Sequence, residues 1–317
     1  MAVLTIRSEF DFPSFGAGKW TKGDHERPLH LQLTVARALI YLEEDRYSKR
    51  DVIVFPQGRI ELVYDPAPGD LVEGLRNKGA KAAAAAQTIY DAYVEAHNKF
   101  TTLLHSPGNL RYIYRAAPGS ITSFFSAFGS IRGRGVEWSV DGGPFKQFEP
   151  PLPKPKGRNP MFKADQLVTP RRWLALQEAA DAGEYIEGEM LELYRIRRKA
   201  AWRELRVAAI EASIISESLL RTYGTEILKR NGFSNSKIKR LRDEMTFNNL
   251  LNILLPLSLS KAELRKLQSH IDAVDTLRGI RNDLVHGNIE ENDLDPKQVD
   301  SGIDSAIKLV KFLRAKI

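Results

Sequence analysis

The amino-acid sequence predicts an α+β N-terminal domain followed by an all-α helical bundle. Three observations carry that reading. Strand-like alternation of apolar residues is confined to the first half of the chain, a proline-rich stretch divides it, and after Thr169-Pro170 the apolar residues recur only with helical period.

In the first half, Asp51 to Pro56 and Arg59 to Asp65 alternate around Gln57-Gly58, which predicts a β-hairpin. Gly135 to Pro150 predicts a second, with Asp141-Gly142-Gly143 supplying its positive-φ positions. Between them a helix is expected from Asp70, broken around Gly79, to the residues before Pro107-Gly108. The prolines of Pro150 to Pro160 favour an extended spacer, so the expected division is 1–150 for the α+β domain, 151–168 for the linker and 169–317 for the bundle.

In the second half, a short helix spans Arg171 to Ala182 and stops at Gly183. A long one runs from Gly188 to about Tyr223, with Leu191, Ile196, Leu205, Ile210, Ile214, Ile215 and Leu219 on its apolar face. Two shorter segments follow, Ser234 to Met245 and Thr246 to Leu255, the second closed by Pro256. Next comes a helix capped by Ser260 with Glu263 completing a capping box; its apolar positions continue through Leu284 to a stop at Gly287. The last helix covers about Pro296 to Ala315, and no internal repeat is present.

The 317 residues suffice for two domains that each bury a core without staples. The absence of cysteine excludes thiolate catalysis and cysteine-based zinc sites, and makes a reducing compartment, the cytoplasm, the expected location. Met1 to Gly16 lacks the pattern of a secretory leader, and Leu250 to Leu259 is too short to span a bilayer, so no membrane association is expected. The net charge of +7 is uneven. Residues 1–150 hold 18 Lys and Arg against 17 Asp and Glu, whereas residues 151–317 hold 29 against 23, so the second half is the one expected to face a polyanion.

The segment with chemical content is Arg278 to Asn288, RGIRNDLVHGN, at the end of the fourth major helix. Spacing alone is weak, because Arg265 and His270 repeat it in mid-helix without a following glycine. Around Arg281 and His286 four features coincide: an apolar-periodic helix before them, Asn282 after the arginine, the spacing itself, and Gly287 at the helix stop. Positions five apart on a helix differ by about 140°, so the pair needs a helix end to relax that angle. Asn282, four residues before His286, has the spacing to hold one ring nitrogen.

This segment resembles the Arg-polar-(three residues)-His-Gly pattern of HEPN ribonucleases (higher eukaryotes and prokaryotes nucleotide-binding), and is particularly similar to their Apea-like, abortive-infection branch. The resemblance spans roughly Ala201 to Ile317. It implies a metal-independent endoribonuclease without a cofactor, a homodimer whose two Arg–His motifs meet at the interface, and a role as a toxin or antiviral defence effector, with the first domain sensing a trigger or a regulatory protein. The residue types suit that chemistry. Histidine moves protons near neutral pH, and the permanently charged fork of arginine matches phosphate oxygens. The implied products are a 2′,3′-cyclic phosphate and a 5′-hydroxyl.

HEPN relatives also carry an acidic residue on the first bundle helix, for which Glu217 in SESLL is the first candidate and Glu211 the second; a carboxylate there orients Arg281 or raises the pKa of His286. Two basic runs are candidate RNA contacts, Arg195, Arg197, Arg198 and Lys199 on the long helix and Lys237, Lys239 and Arg240 beyond it. Ala127 to Asp141 is similar to the opening of minimal nucleotidyltransferases, yet it lacks their paired aspartates, and a Gly-rich loop entering a hairpin is the better reading. His25, His30, His97 and His105 form no ligand set, so no metal is expected. Tyr112, Tyr114, Phe124, Phe125 and Phe128 read as core residues rather than base-stacking ones. The alternatives to a nuclease are a non-catalytic HEPN module binding RNA, nucleotide or a protein partner, and an assembly protein built on the helical stripes.

Overall fold

The computed structural model describes residues 2–18, 20, 27–45, 52–111, 136–148, 167–186 and 188–316. The linker expected at 151–168 falls almost wholly outside them, as do His25, Tyr112, Tyr114, Phe124, Phe125, Phe128 and the Gly-rich loop before Val136. The chain forms two compact units, Met1–Ile186 and Glu187–Ile317. Among the described residues, no helix is long and apolar enough to cross a membrane.

The first unit is built on a six-stranded sheet in the order β2-β3-β4-β1-β5-β6, all of whose strand pairs are antiparallel. Its strands are β1 (Leu4–Gly18), β2 (Leu29–Gln32), β3 (Arg37–Asp45), β4 (Val52–Tyr64), β5 (Val136–Val140) and β6 (Lys146–Phe148). Period-two alternation sends Leu4 and Ile6, Leu29 and Leu31, Ala38 and Ile40, and Ile60 and Leu62 to one buried face. Helix α1 (Gly69–Arg76) precedes α2 (Ala80–His105), whose stripe of Ala85, Ile89, Tyr93, Ala96, Phe100 and Leu103 joins that core.

The expected hairpin over 51–65 is instead one continuous strand. Gln57 and Gly58 pair with Asp11 and Phe10 on one side and with Glu43 and Leu42 on the other, so they lie in the ladder rather than in a turn. Pro56 has no N–H to donate, and both flanking ladders shift register opposite it, between Asp11 and Phe15 and between Glu43 and Asp45. The second hairpin forms as expected, with Asp141 at φ 51° and Gly142 at φ 70° between β5 and β6.

Helix α3 (Pro170–Asp181), capped by Thr169, belongs to this first unit rather than to the bundle. Trp173, Leu176 and Ala180 are part of the sheet's core, and Trp173 stacks edge-on against Phe100 with centroids 6.4 Å apart. The unit boundary therefore falls after Ile186, not in the proline-rich segment, because the apolar face of α3 is buried on the N-terminal side of the chain.

The second unit contains α4 (Gly188–Ala201), α5 (Leu205–Arg230), α6 (Asn235–Glu244), a helical run at 247–258 (α7), α8 (Lys261–His286) and α9 (Pro296–Arg314). The single long helix expected from Gly188 to Tyr223 is two helices: Arg203, at φ 69°, makes a left-handed turn that reverses the chain. Gly224 does not end α5. A Cβ there would lie 2.6 Å from Leu254 Cδ2, so it is a close-approach glycine inside the helix, which continues to Arg230. Likewise α7 does not stop at Pro256. Leu250–Leu254 is π-helical, with the Leu255 N–H donating to the Leu250 carbonyl, and this wider register admits a residue without an N–H in the next turn.

Helices α4, α5, α8 and α9 form an up-down four-helix bundle. Arg197 on α4 pairs with Asp304 on α9, Ser213 on α5 donates to the Leu277 carbonyl on α8 at 3.3 Å, and His270 on α8 meets Ser305 on α9 at 3.3 Å. Arg206 N–H donates to Glu291 beyond the end of α8, and Arg230 reaches the Lys316 carbonyl near its start, so α5 and α8 run antiparallel. The core is Leu193, Ile196, Ala209, Ala212, Leu220, Leu267, Ile271, Val274, Leu277, Ile303, Val310 and their neighbours.

Candidate functional site

Helix α8 begins and ends as its sequence requires. Ser260 and Glu263 form the reciprocal capping box, and Gly287 takes the left-handed conformation at φ 73°. The Gly287 and Asn288 N–H groups both return to the Asp283 carbonyl, the latter at 2.8 Å, so the terminus is closed and sharply defined. His286 is the last helical residue and is exposed.

Arg281 is half-buried, and its Nη1–H donates to Asn282 Oδ1 at 2.9 Å. Asn282 thus serves the arginine; among the described residues no hydrogen bond joins it to the imidazole, contrary to the expected role. Because the helix stays regular through His286, the Arg281–His286 pair keeps its separation of about 7.5 Å along the axis and about 140° around it. Their backbone positions therefore lie on different sides of α8. The decoy pair separates in another way: His270 packs toward α9, and burial, with Lys308 adding to it, lowers its pKa.

Neither acidic candidate serves the motif within one chain. Glu217 forms a salt bridge with Arg221 one turn along α5, at 2.7 Å. The Ser213–Leu277 contact sets the level of the two helices: Glu217 lies four residues to one side of it and Arg281 four to the other, about 12 Å apart along the bundle. Glu211 is closer to the level of Arg281, but its carboxylate takes Lys199 Nζ at 2.6 and 2.7 Å.

The first basic run is correspondingly divided. Arg197 is only 5% exposed and paired with Asp304 at 2.7 Å, so it is a bundle residue and not an RNA contact. Lys199 is committed to Glu211, Arg195 pairs with Glu192 at 3.0 Å, and Arg198 is half-buried. In the second run Lys237, Lys239 and Arg240 are exposed on α6, with Arg240 paired to Glu244 at 3.2 Å. Among the described residues no group of three or more His, Asp or Glu side chains is placed to hold a metal ion.

Two features were not foreseen from the sequence. The bundle end that carries His286 also leaves large apolar side chains in solvent: Val285 is 55% exposed, Trp202 45% and Val207 43%. Beside the motif, Arg278 Nε–H donates to Asp275 Oδ1 at 2.8 Å, and the same oxygen accepts from Asn252 Nδ2 on α7 at 3.3 Å. The sequence signal for Arg278 was its place in RGIRNDLVHGN, three residues before Arg281; Asn252 had none, because only tertiary packing brings α7 against α8. Comparison of the chain with protein-family models, with curated proteins and with solved structures returns no match.

Proposed function

We propose that the second unit is a HEPN-type, metal-independent endoribonuclease that works as a homodimer, serving as a toxin or antiviral defence effector. The observation that carries the reading is the motif's setting: Arg281 and His286 close an antiparallel bundle helix at a glycine-capped terminus, where the histidine is open to solvent. In the reaction the ribose 2′-oxygen attacks the adjacent phosphorus as its proton leaves, the P–O5′ bond breaks, and the 5′-oxygen takes up a proton. His286 moves protons in that exchange, and Arg281 balances the charge gathering on the phosphate oxygens.

The helical separation of the two residues means that a complete site draws on a second copy. The exposed Val285, Trp202 and Val207 at the same end supply an apolar surface on which two bundles meet. The first unit then senses a trigger or a regulatory protein that releases the nuclease.

The test is incubation of purified protein with RNA in EDTA. Cyclic-phosphate ends are expected from the wild type and none from His286→Ala or Arg281→Ala, with loss of toxicity in cells accompanying loss of cleavage. A second reading, a non-catalytic module binding RNA, nucleotide or a protein partner, is favoured by one observation: the two residues leave α8 about 140° apart around its axis, and Asn282 is bonded to Arg281. Intact RNA with retained affinity selects it.

A further inference from the structure

Arg278 stands one helical turn before Arg281, a spacing that places Cβ atoms about 5–6 Å apart on one side of α8. Each guanidinium is held by a single hydrogen bond at one edge: Arg278 through Nε to Asp275 and Arg281 through Nη1 to Asn282. Among the described residues the terminal N–H groups of Arg278 have no partner. Its anchor is itself anchored, since Asn252 Nδ2 donates both to Asp275 Oδ1 and, at 3.0 Å, to Asn248 Oδ1, tying α7 to α8.

The arrangement is more than an ion pair needs. An Asp–Arg pair three residues apart, with side chains 36% and 24% exposed, stabilises a helix only slightly. What the chain of Asn248, Asn252 and Asp275 does achieve is to fix the direction of a half-buried guanidinium and leave its outer edge for an external acceptor. Arginine so presented fits phosphate oxygens in a way that lysine does not.

We infer that Arg278 binds a phosphate of the RNA strand next to the one that Arg281 engages, with Asp275 and Asn252 as the residues that position it. The inference rests on the nuclease reading for its substrate class, but it concerns strand binding rather than the chemical step. Arg278 is accordingly assigned to affinity, and Arg281 and His286 to turnover.

The experiment measures binding of the full-length protein to a fluorescent single-stranded RNA across a salt series in EDTA, alongside cleavage kinetics and melting temperature. For Arg278→Gln, affinity falls about tenfold and the slope of log K against log salt drops by about 0.7, the value of one phosphate on a single strand. KM rises with kcat little changed, and the melting temperature holds. Arg278→Lys keeps the slope while losing part of the affinity, which a purely structural role would not produce. Wild-type binding and slope in Arg278→Gln overturn the inference while leaving the nuclease reading intact. RNA that is bound but never cut, with the slope still lowered in Arg278→Gln, removes the nuclease reading and upholds the phosphate contact. A wild-type protein that binds no RNA removes both.

Discussion

Mixing two inactive variants tests whether the site is shared between chains. Arg281 and His286 are separated by about 7.5 Å along α8 and about 140° around it, and the helix remains regular to its last residue. The two positions lie on different sides of α8, so on the proposed nuclease reading the reacting pair is expected to form between opposite chains. Take Arg281→Ala and His286→Ala, each silent alone, and let them exchange subunits in equal amounts. About half of the dimers are then mixed, and each mixed dimer holds one site with both native residues, so cleavage recovers to about one quarter of the wild-type rate. The readout is release of 2′,3′-cyclic phosphate ends from end-labelled RNA in EDTA. A mixture that stays silent, under conditions where subunit exchange is demonstrated and the wild type cleaves, refutes the reasoning from helix geometry.

Three further outcomes follow from the packing. A Cβ on Gly302 would lie 2.8 Å from Leu277 Cβ and 3.2 Å from its Cγ and Cδ1, so Gly302→Ala sets an overpacking cost of about 1–3 kcal/mol against about 1 kcal/mol of helix propensity. In a Leu277→Ala background part of that clash is gone, and hydrogen exchange in α8 should show a coupling of about 1 kcal/mol; strict additivity would contradict the packing. Asp304→Ala takes away the carboxylate 2.7 Å from the buried Arg197 and should destabilise the bundle by about 3 kcal/mol, whereas Arg197→Met should cost less; equal losses would argue against this account. Hydrogen bonds from Lys316 and from Ser260 hold the Glu263 carboxyl down to about 2. Since its folded pKa lies below the unfolded value, the stabilisation is present above about pH 4.5 and is lost as pH falls toward 2. A carboxyl NMR titration with a midpoint near 4.5 would remove that contribution.

Local signals in the sequence were read accurately where the chain itself supplies the physics. The capping box of Ser260 and Glu263, the stop at Gly287, the Asp141-Gly142 turn and the break before α2 each depend on a few adjacent residues, and each stands where the sequence places it. The departures share a cause. Gln57-Gly58 reads as a turn in isolation, but strands on both sides satisfy its backbone and carry it through the sheet. Gly224 reads as a helix stop, but a neighbouring helix close enough to need a bare Cα keeps it helical. Trp173 reads as part of the bundle, but its indole is buried with Phe100 in the sheet's core.

The same division applies to the candidate site. Sequence alone determined that Arg281, Asn282 and His286 end a capped helix in a basic half of the chain, because spacing and capping are local properties. Tertiary structure decided which cations are engaged and which remain available. It buried Arg197 against Asp304, gave Lys199 to Glu211 and Glu217 to Arg221, and set Asn252 beside Asp275 to aim Arg278. Charge can be counted along a chain, but its pairing depends on which helices become neighbours, and that follows from how their apolar faces are buried together.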